Sequence, residues 1–118
     1  MLDLGALDTE IDMNFPVTSD GIRPLFLACS FGNKIITQII MKNRMTDKEI
    51  TDNQGWNALY YATYFGHLHL VEELGKREIP YGISRTGTTP MHIAAKKGFT
   101  DIVELFLSYK EKHEADWK

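Results

Sequence analysis

Gly87-Thr88-Thr89-Pro90-Met91-His92-Ile93-Ala94-Ala95-Lys96-Lys97-Gly98 places a turn glycine, a Thr-Pro helix start, an apolar run and a second glycine in one short stretch. The same frame occurs twice earlier. Gly55-Trp56-Asn57-Ala58-Leu59-Tyr60-Tyr61-Ala62-Thr63 leads to Gly66, and Gly21-Ile22-Arg23-Pro24-Leu25-Phe26-Leu27-Ala28-Cys29 leads to Gly32. Corresponding glycines are 34 and then 32 residues apart, while the spacing of eleven within each pair is constant. Internal repetition at such a period is the mark of a solenoid of stacked units.

Each copy encodes a pair of short helices. Thr89 is suited to accept a hydrogen bond from an otherwise unpaired backbone N–H as an N-cap. Pro90 follows at the first helical position, where no N–H is needed and its φ is already set. Met91, Ala94 and Ala95 fall at i, i+3 and i+4 and share one face, on which the alanines let a neighbouring unit approach closely. Gly98 ends this helix in a left-handed conformation that glycine adopts without penalty. Ile102, Val103, Leu105 and Phe106 then mark a second helix with an inward face. A single helix pair cannot bury its apolar side alone, so stacking follows. The frame predicts inner helices over 24–31, 58–65 and 90–97, and outer helices over 34–43, 68–77 and 100–114.

The pattern resembles the ankyrin repeat, G-x-T-P-L-H-x-A-A-x-x-G followed by an I-V-x-x-L-L helix. The copy starting at Gly87 matches nearly throughout, with Ile102-Val103 and Leu105-Phe106-Leu107 in the second helix. Arg23 replaces the capping Thr in the first copy, and Asn57-Ala58-Leu59-Tyr60 replaces Thr-Pro-Leu-His in the second. The resemblance implies an all-α ankyrin-repeat solenoid with short β-hairpin-like loops. Its divisions are a partial N-terminal repeat over 1–17, repeats over 18–51, 52–83 and 84–107, and a charged helical cap over 108–118. Leu2, Leu4, Ala6 and Leu7 read as the last turns of an outer helix, ahead of Asp12-Met13-Asn14, which resembles the segment closing a repeat. Trp117, in the charged end, either folds back or meets something outside the chain. The middle repeat is expected to be the weakest, because Asn57-Ala58 is a poorer helix start than Thr89-Pro90 and Gly75 interrupts its outer helix.

Composition is consistent with this organisation. The 118 residues carry a formal charge of −3 and one cysteine, Cys29. That size suits one modest domain. A lone cysteine forms no intrachain disulfide, which points to a reducing compartment, cytoplasmic or nuclear. Met1-Leu2-Asp3-Leu4 lacks the basic start of a signal peptide, and no apolar run approaches a membrane span. The net acidic charge disfavours nucleic-acid binding, since it repels phosphate.

Catalysis finds little support. Cys29 occupies a small-residue position on the inner helix and is expected to be buried packing rather than a nucleophile. His92 belongs to the repeat pattern, where imidazole orders loop backbone. His67 follows a helix-ending glycine, while His69 and His113 have no companions at metal-ligand spacing. The glycines stand singly at turns, unlike a phosphate-binding loop. Neither cofactor nor metal is expected.

The resemblance also says where contacts are made: at the loop tip after the turn glycine, and at the two inner-helix residues before the second glycine. Ile22, Trp56 and Thr88 occupy the tips; Ser30-Phe31, Tyr64-Phe65 and Lys96-Lys97 occupy the helix positions. Polar residues are usual there, so Ile22, Phe31, Trp56, Tyr64 and Phe65 would form an aromatic-rich strip on the concave face. Either Phe31 and Phe65 tuck between helices, or the strip binds a partner; the second reading is favoured because large rigid aromatics dominate interface energies. Arg85, Lys96 and Lys97 at one end would suit an acidic flank. The expected function is a non-catalytic adaptor or scaffold module. A subunit of a permanent assembly, or a regulatory segment of a larger enzyme or channel, is the alternative. Asn14 also resembles the asparagine that oxygen-dependent hydroxylases modify in ankyrin loops, although an Asx-type ordering role is the favoured reading.

Overall fold

A computed structural model describes residues 14–43, 45–76 and 84–112. Residues 1–13, the Ile79-Pro80-Tyr81-Gly82 loop and Trp117 lie outside the described residues. Six helices are present: α1 (Pro24–Phe31), α2 (Lys34–Lys42), α3 (Ala58–Tyr64), α4 (Leu68–Lys76), α5 (Pro90–Lys97) and α6 (Thr100–Lys112). They alternate inner and outer, in the register that the glycine spacing predicts. Among the described residues there is no strand. Phe65 and Asn43 are C-caps rather than helical residues. The third outer helix continues without a break across 107–108, the position at which the sequence suggested a separate cap.

The caps explain why the helices begin where they do. Thr89 Oγ1 accepts from His92 N at 3.2 Å, and Thr89 N donates back to His92 Nδ1 at 3.1 Å. His92 therefore completes a reciprocal cap that Glu or Gln ordinarily supplies. Asn57 Oδ1 accepts from both Leu59 N and Tyr60 N, at 3.0 and 3.3 Å. Its helix start is well capped, which removes one of the two reasons for expecting the middle repeat to be weakest. Arg23 instead makes no side-chain cap, and α1 relies on Pro24 alone.

Inner helices α1, α3 and α5 pack in one row with the outer helices behind them. Leu25, Phe26, Leu59, Leu70, Leu74, Ile102 and Phe106 form a continuous buried core with Ala28, Ala58, Ala62 and Ala94 at the close approaches. Each large side chain fully buried there contributes about 1.5–3 kcal/mol. Burial depends on a neighbour at each side. Cys29 and Thr63 are completely buried, yet Ala95 at the equivalent place is exposed, because no repeat follows α5–α6 among the described residues. Ala95 therefore belongs to an end face rather than to the core.

Each loop is closed by a backbone bond, across five residues in the first and four in the other two. Val17 N donates to Ile22 O at 2.6 Å, Asp52 N to Trp56 O at 2.8 Å and Ser84 N to Thr88 O at 2.9 Å. Neighbouring loops are also joined, by Asn53 N to Asp20 O and Arg85 N to Gln54 O, both at 2.9 Å. These bonds satisfy backbone groups that would otherwise be left unpaired at the tips.

Candidate partner-binding surface

Asp52 shapes the tip that carries Trp56. Its Oδ1 accepts from Gln54 N and Trp56 N, at 2.8 and 2.9 Å, and its Oδ2 accepts from the Tyr61 hydroxyl. Burial, reinforced by the Asp52 carboxylate, pushes the Tyr61 phenol well above its ordinary value and keeps it a donor. The indole of Trp56 is consequently fixed. It stacks on Tyr60 at a centroid distance of 5.5 Å, meets Tyr61 edge-on at 5.7 Å and reaches Tyr64 at 5.6 Å.

From Trp56 the cluster runs outward. Tyr64 meets Phe65 edge-to-face at 5.0 Å, and Lys97 Nζ lies 4.0 Å above the Tyr64 ring. Tyr64 and Phe65 are both exposed, although they are large and apolar. An open groove of about 610 Å³ runs between Trp56, Tyr64, Thr88, His92, Ile93, Lys96 and Lys97. Its floor is Ile93 and the aromatic rings, and its rim is cationic.

The other residues singled out by the sequence fall in different surroundings. Phe31 is 80% exposed; it is not tucked between helices. Ile22 is half-buried and packs against the core. Arg85 is exposed on the third loop tip, tied through its backbone to Gln54. Asn14 donates to Met45 O and accepts from Asp47 N, both at 2.7 Å, so its amide orders the loop after α2.

Two features were not foreseen. Tyr60 stands where the pattern has His, and its hydroxyl reaches over to donate to Thr88 O at 2.8 Å, tying the second repeat to the third loop. Ile35, Ile36 and Ile39 on α2 are exposed. Part of the signal for the second was present in the sequence: Ile35 corresponds to His69 and Asp101, and Ile39 to Glu73 and Leu105, while Ile36 corresponds to Leu70 and Ile102, so only the first copy is apolar at all three places.

Cys29 is inert in this setting. Burial raises its thiol to about 12, an effect that the Thr37 hydroxyl only partly offsets. No grouping of His, Cys, Asp and Glu among the described residues could hold a metal ion, and no helix there is long and apolar enough to cross a membrane.

Family comparison agrees with the geometry. The family of ankyrin repeats (3 copies) matches residues 4–82 and again 25–116. The chain belongs to the ankyrin repeat family, whose repeats generally mediate protein–protein interactions. It is similar to a putative ankyrin repeat protein of Rickettsia bellii, at 30% identity over 86 residues, covering 67% of this chain and 12% of that relative. It is also similar to the human SMC5-SMC6 complex localization factor protein 1, at 31% identity over 101 residues, covering 82% of this chain and 10% of that protein. The chain thus spans about a tenth of the length of these relatives.

Proposed function

We propose that this chain is a non-catalytic interaction module that grips a protein segment on its concave face. Tyr64 and Phe65 are the anchors, Trp56 is the wall behind them, and Phe31 extends the apolar contact. Lys96 and Lys97, with Arg85 at the neighbouring tip, suit acidic residues flanking the bound segment. The observation that carries this reading is the continuous ring cluster from Trp56 to Phe65 beside a groove rimmed by two lysines. Solvent-exposed aromatic patches of this kind are the usual anchors of interfaces.

Both relatives are many times longer than this chain, in keeping with a module that serves within a longer protein. The human relative is named as a localization factor of the SMC5-SMC6 complex, and an adaptor role for this chain is in keeping with that.

Selection from a displayed library of random peptides tests the reading. Binders should be enriched in an apolar or aromatic residue next to Asp or Glu. Tyr64→Ala or Phe65→Ala should weaken them by about 2 kcal/mol without unfolding the chain. Lys96→Glu with Lys97→Glu should slow association and flatten its salt dependence. Binders indifferent to all four substitutions would place the site elsewhere.

A further inference from the structure

The polar atoms around the groove divide unevenly between donors and acceptors. Thr88 O receives both Ser84 N, at 2.9 Å, and the Tyr60 hydroxyl, at 2.8 Å, which fills its two lone pairs. His92 Nδ1 accepts from Thr89 N at 3.1 Å. A ring nitrogen that accepts carries no proton, so the proton of this imidazole is on Nε2, which is a donor. Lys96, Lys97 and the Trp56 indole can only donate, and of the described residues lining the groove none is Asp or Glu.

A chain of hydroxyls makes Thr88 Oγ1 a donor as well. Ser84 Oγ accepts from Thr88 N at 3.1 Å, and Ser84 is buried, so its own proton needs a protein acceptor. Thr86 Oγ1 lies 3.1 Å from it, and Thr88 Oγ1 lies 3.1 Å further on. Protons directed from Ser84 to Thr86 to Thr88 satisfy the buried end and leave the Thr88 proton for the groove. Lys97 Nζ, 4.0 Å above the Tyr64 ring, borders the same space.

A ligand group that meets these donors must be rich in acceptors and negatively charged. An Asp or Glu carboxylate brings a single charge and two oxygens, whereas a phosphate monoester carries about −1.5 to −2 and three terminal oxygens. Two ammonium groups with two neutral donors beside them match the phosphate. We propose that the groove takes a phosphorylated side chain of the partner, with the phosphate on Lys96, Lys97, His92 Nε2 and Thr88 Oγ1. This rests on the concave face being the binding surface, and adds that the partner is modified. Thr86, outside the groove lining, is a positioning residue that acts through Thr88.

Equilibrium binding of labelled peptide pools to the full chain tests this. The pools share degenerate apolar flanks and differ at one fixed residue: phosphoserine, phosphotyrosine, Ser, Tyr or Glu. At least one phosphorylated pool should bind about tenfold more tightly than the Glu pool, as an added hydrogen bond to a charged group would give; which of the two does so identifies the residue that carries the phosphate. Val keeps the shape of Thr and Ser keeps its hydroxyl, so the two separate packing from bonding. Thr88→Val should erase most of the advantage and Thr88→Ser should keep it, while Thr86→Val should reduce it and Thr86→Ser restore it. A Glu pool that binds as tightly as both phosphorylated pools, all of them dependent on Tyr64 and Phe65, would overturn the phosphate and leave the concave binding face in place. Phosphorylated pools indifferent to Lys96→Gln/Lys97→Gln and to Thr88→Val would overturn it by placing the anion elsewhere. Binding by none of the pools would overturn both.

Discussion

The imidazole of His67 lies against Gly32, so that a Cβ on that glycine would stand 2.7 Å from Cε1, and Nε2 is 3.1 Å from the Ser30 carbonyl. Phe99 has the same relation to Gly66, where a Cβ would meet its ring at 2.9 Å. In each case the residue after one helix-ending glycine roofs the helix-ending glycine of the repeat before. These glycines thus meet two demands together: a left-handed backbone and room for a neighbour's ring.

The two demands can be separated by substitution. Gly98 has nearly the φ of Gly32, +77° against +72°, but open space where a Cβ would go. Gly98→Ala should cost about 1–2 kcal/mol for the left-handed backbone alone. Gly32→Ala should cost clearly more in urea unfolding, and His67→Ala should recover the excess. Equal costs at the two glycines would mean that the ring moves aside freely.

Tyr60→Phe keeps the buried ring and removes the bond to Thr88 O. Loss of about 1 kcal/mol is expected, measured by urea denaturation, with faster amide exchange in the third loop. Unchanged stability would show that the hydroxyl bond contributes nothing to coupling the repeats.

Trp56→Ala should destabilise the fold as well as any complex, because the indole rests on Tyr60 and Tyr61. Three lost ring contacts, with Tyr60, Tyr61 and Tyr64, at about 0.5–1.5 kcal/mol each, predict a drop of roughly 2–4 kcal/mol in chemical unfolding. Phe65→Ala, whose ring is exposed, should leave stability within about 0.5 kcal/mol of the parent. Equal effects of the two substitutions would contradict this division between wall and anchor.

Gly75 sits within α4, but a Cβ there would lie 3.1 Å from the Tyr109 hydroxyl. Ala gains up to about 1 kcal/mol in helix propensity and loses part of that to crowding. Gly75→Ala should therefore be nearly neutral alone and stabilising when combined with Tyr109→Ala. A melting comparison of the four chains decides it, and the absence of any coupling would discount the contact.

Cys29 makes stability depend on alkaline pH. Its thiol titrates near 9.0 when unfolded and at about 12 when folded, so the native state holds the proton that the unfolded chain releases. Stability is full below about pH 9 and falls as pH rises toward 12. Cys29→Ala should flatten that part of the curve, and a profile indifferent to the substitution would remove the thiol as its cause.

Much of this molecule was readable because its punctuation is local. A glycine at each end and a Pro or capping side chain between them fix a helix pair without reference to anything distant, and α1, α3 and α5 begin where Pro24, Asn57 and Pro90 indicate. Harder to read was which face of a helix meets a neighbour. Ala94 and Ala95 are identical in sequence, yet one is fully buried and the other exposed, because Ala95 sits where the following repeat covers Cys29 and Thr63 and no repeat follows α5–α6 among the described residues. Trp56 was expected as a contact residue, and its packing on Tyr60 could not be separated from that role by residue type.

The second loop is pegged on both sides, to Asp20 through Asn53 and to Arg85 through Gln54, with Asp52 bracing its interior. A partner that meets Trp56 therefore meets a tip with little freedom left to lose. Ordering a mobile loop on association can consume much of the gross interaction energy, so a tip held in place beforehand keeps more of it as affinity. Differences among ligands of this face should accordingly be seen in how long they stay bound rather than in how fast the loop adapts to them.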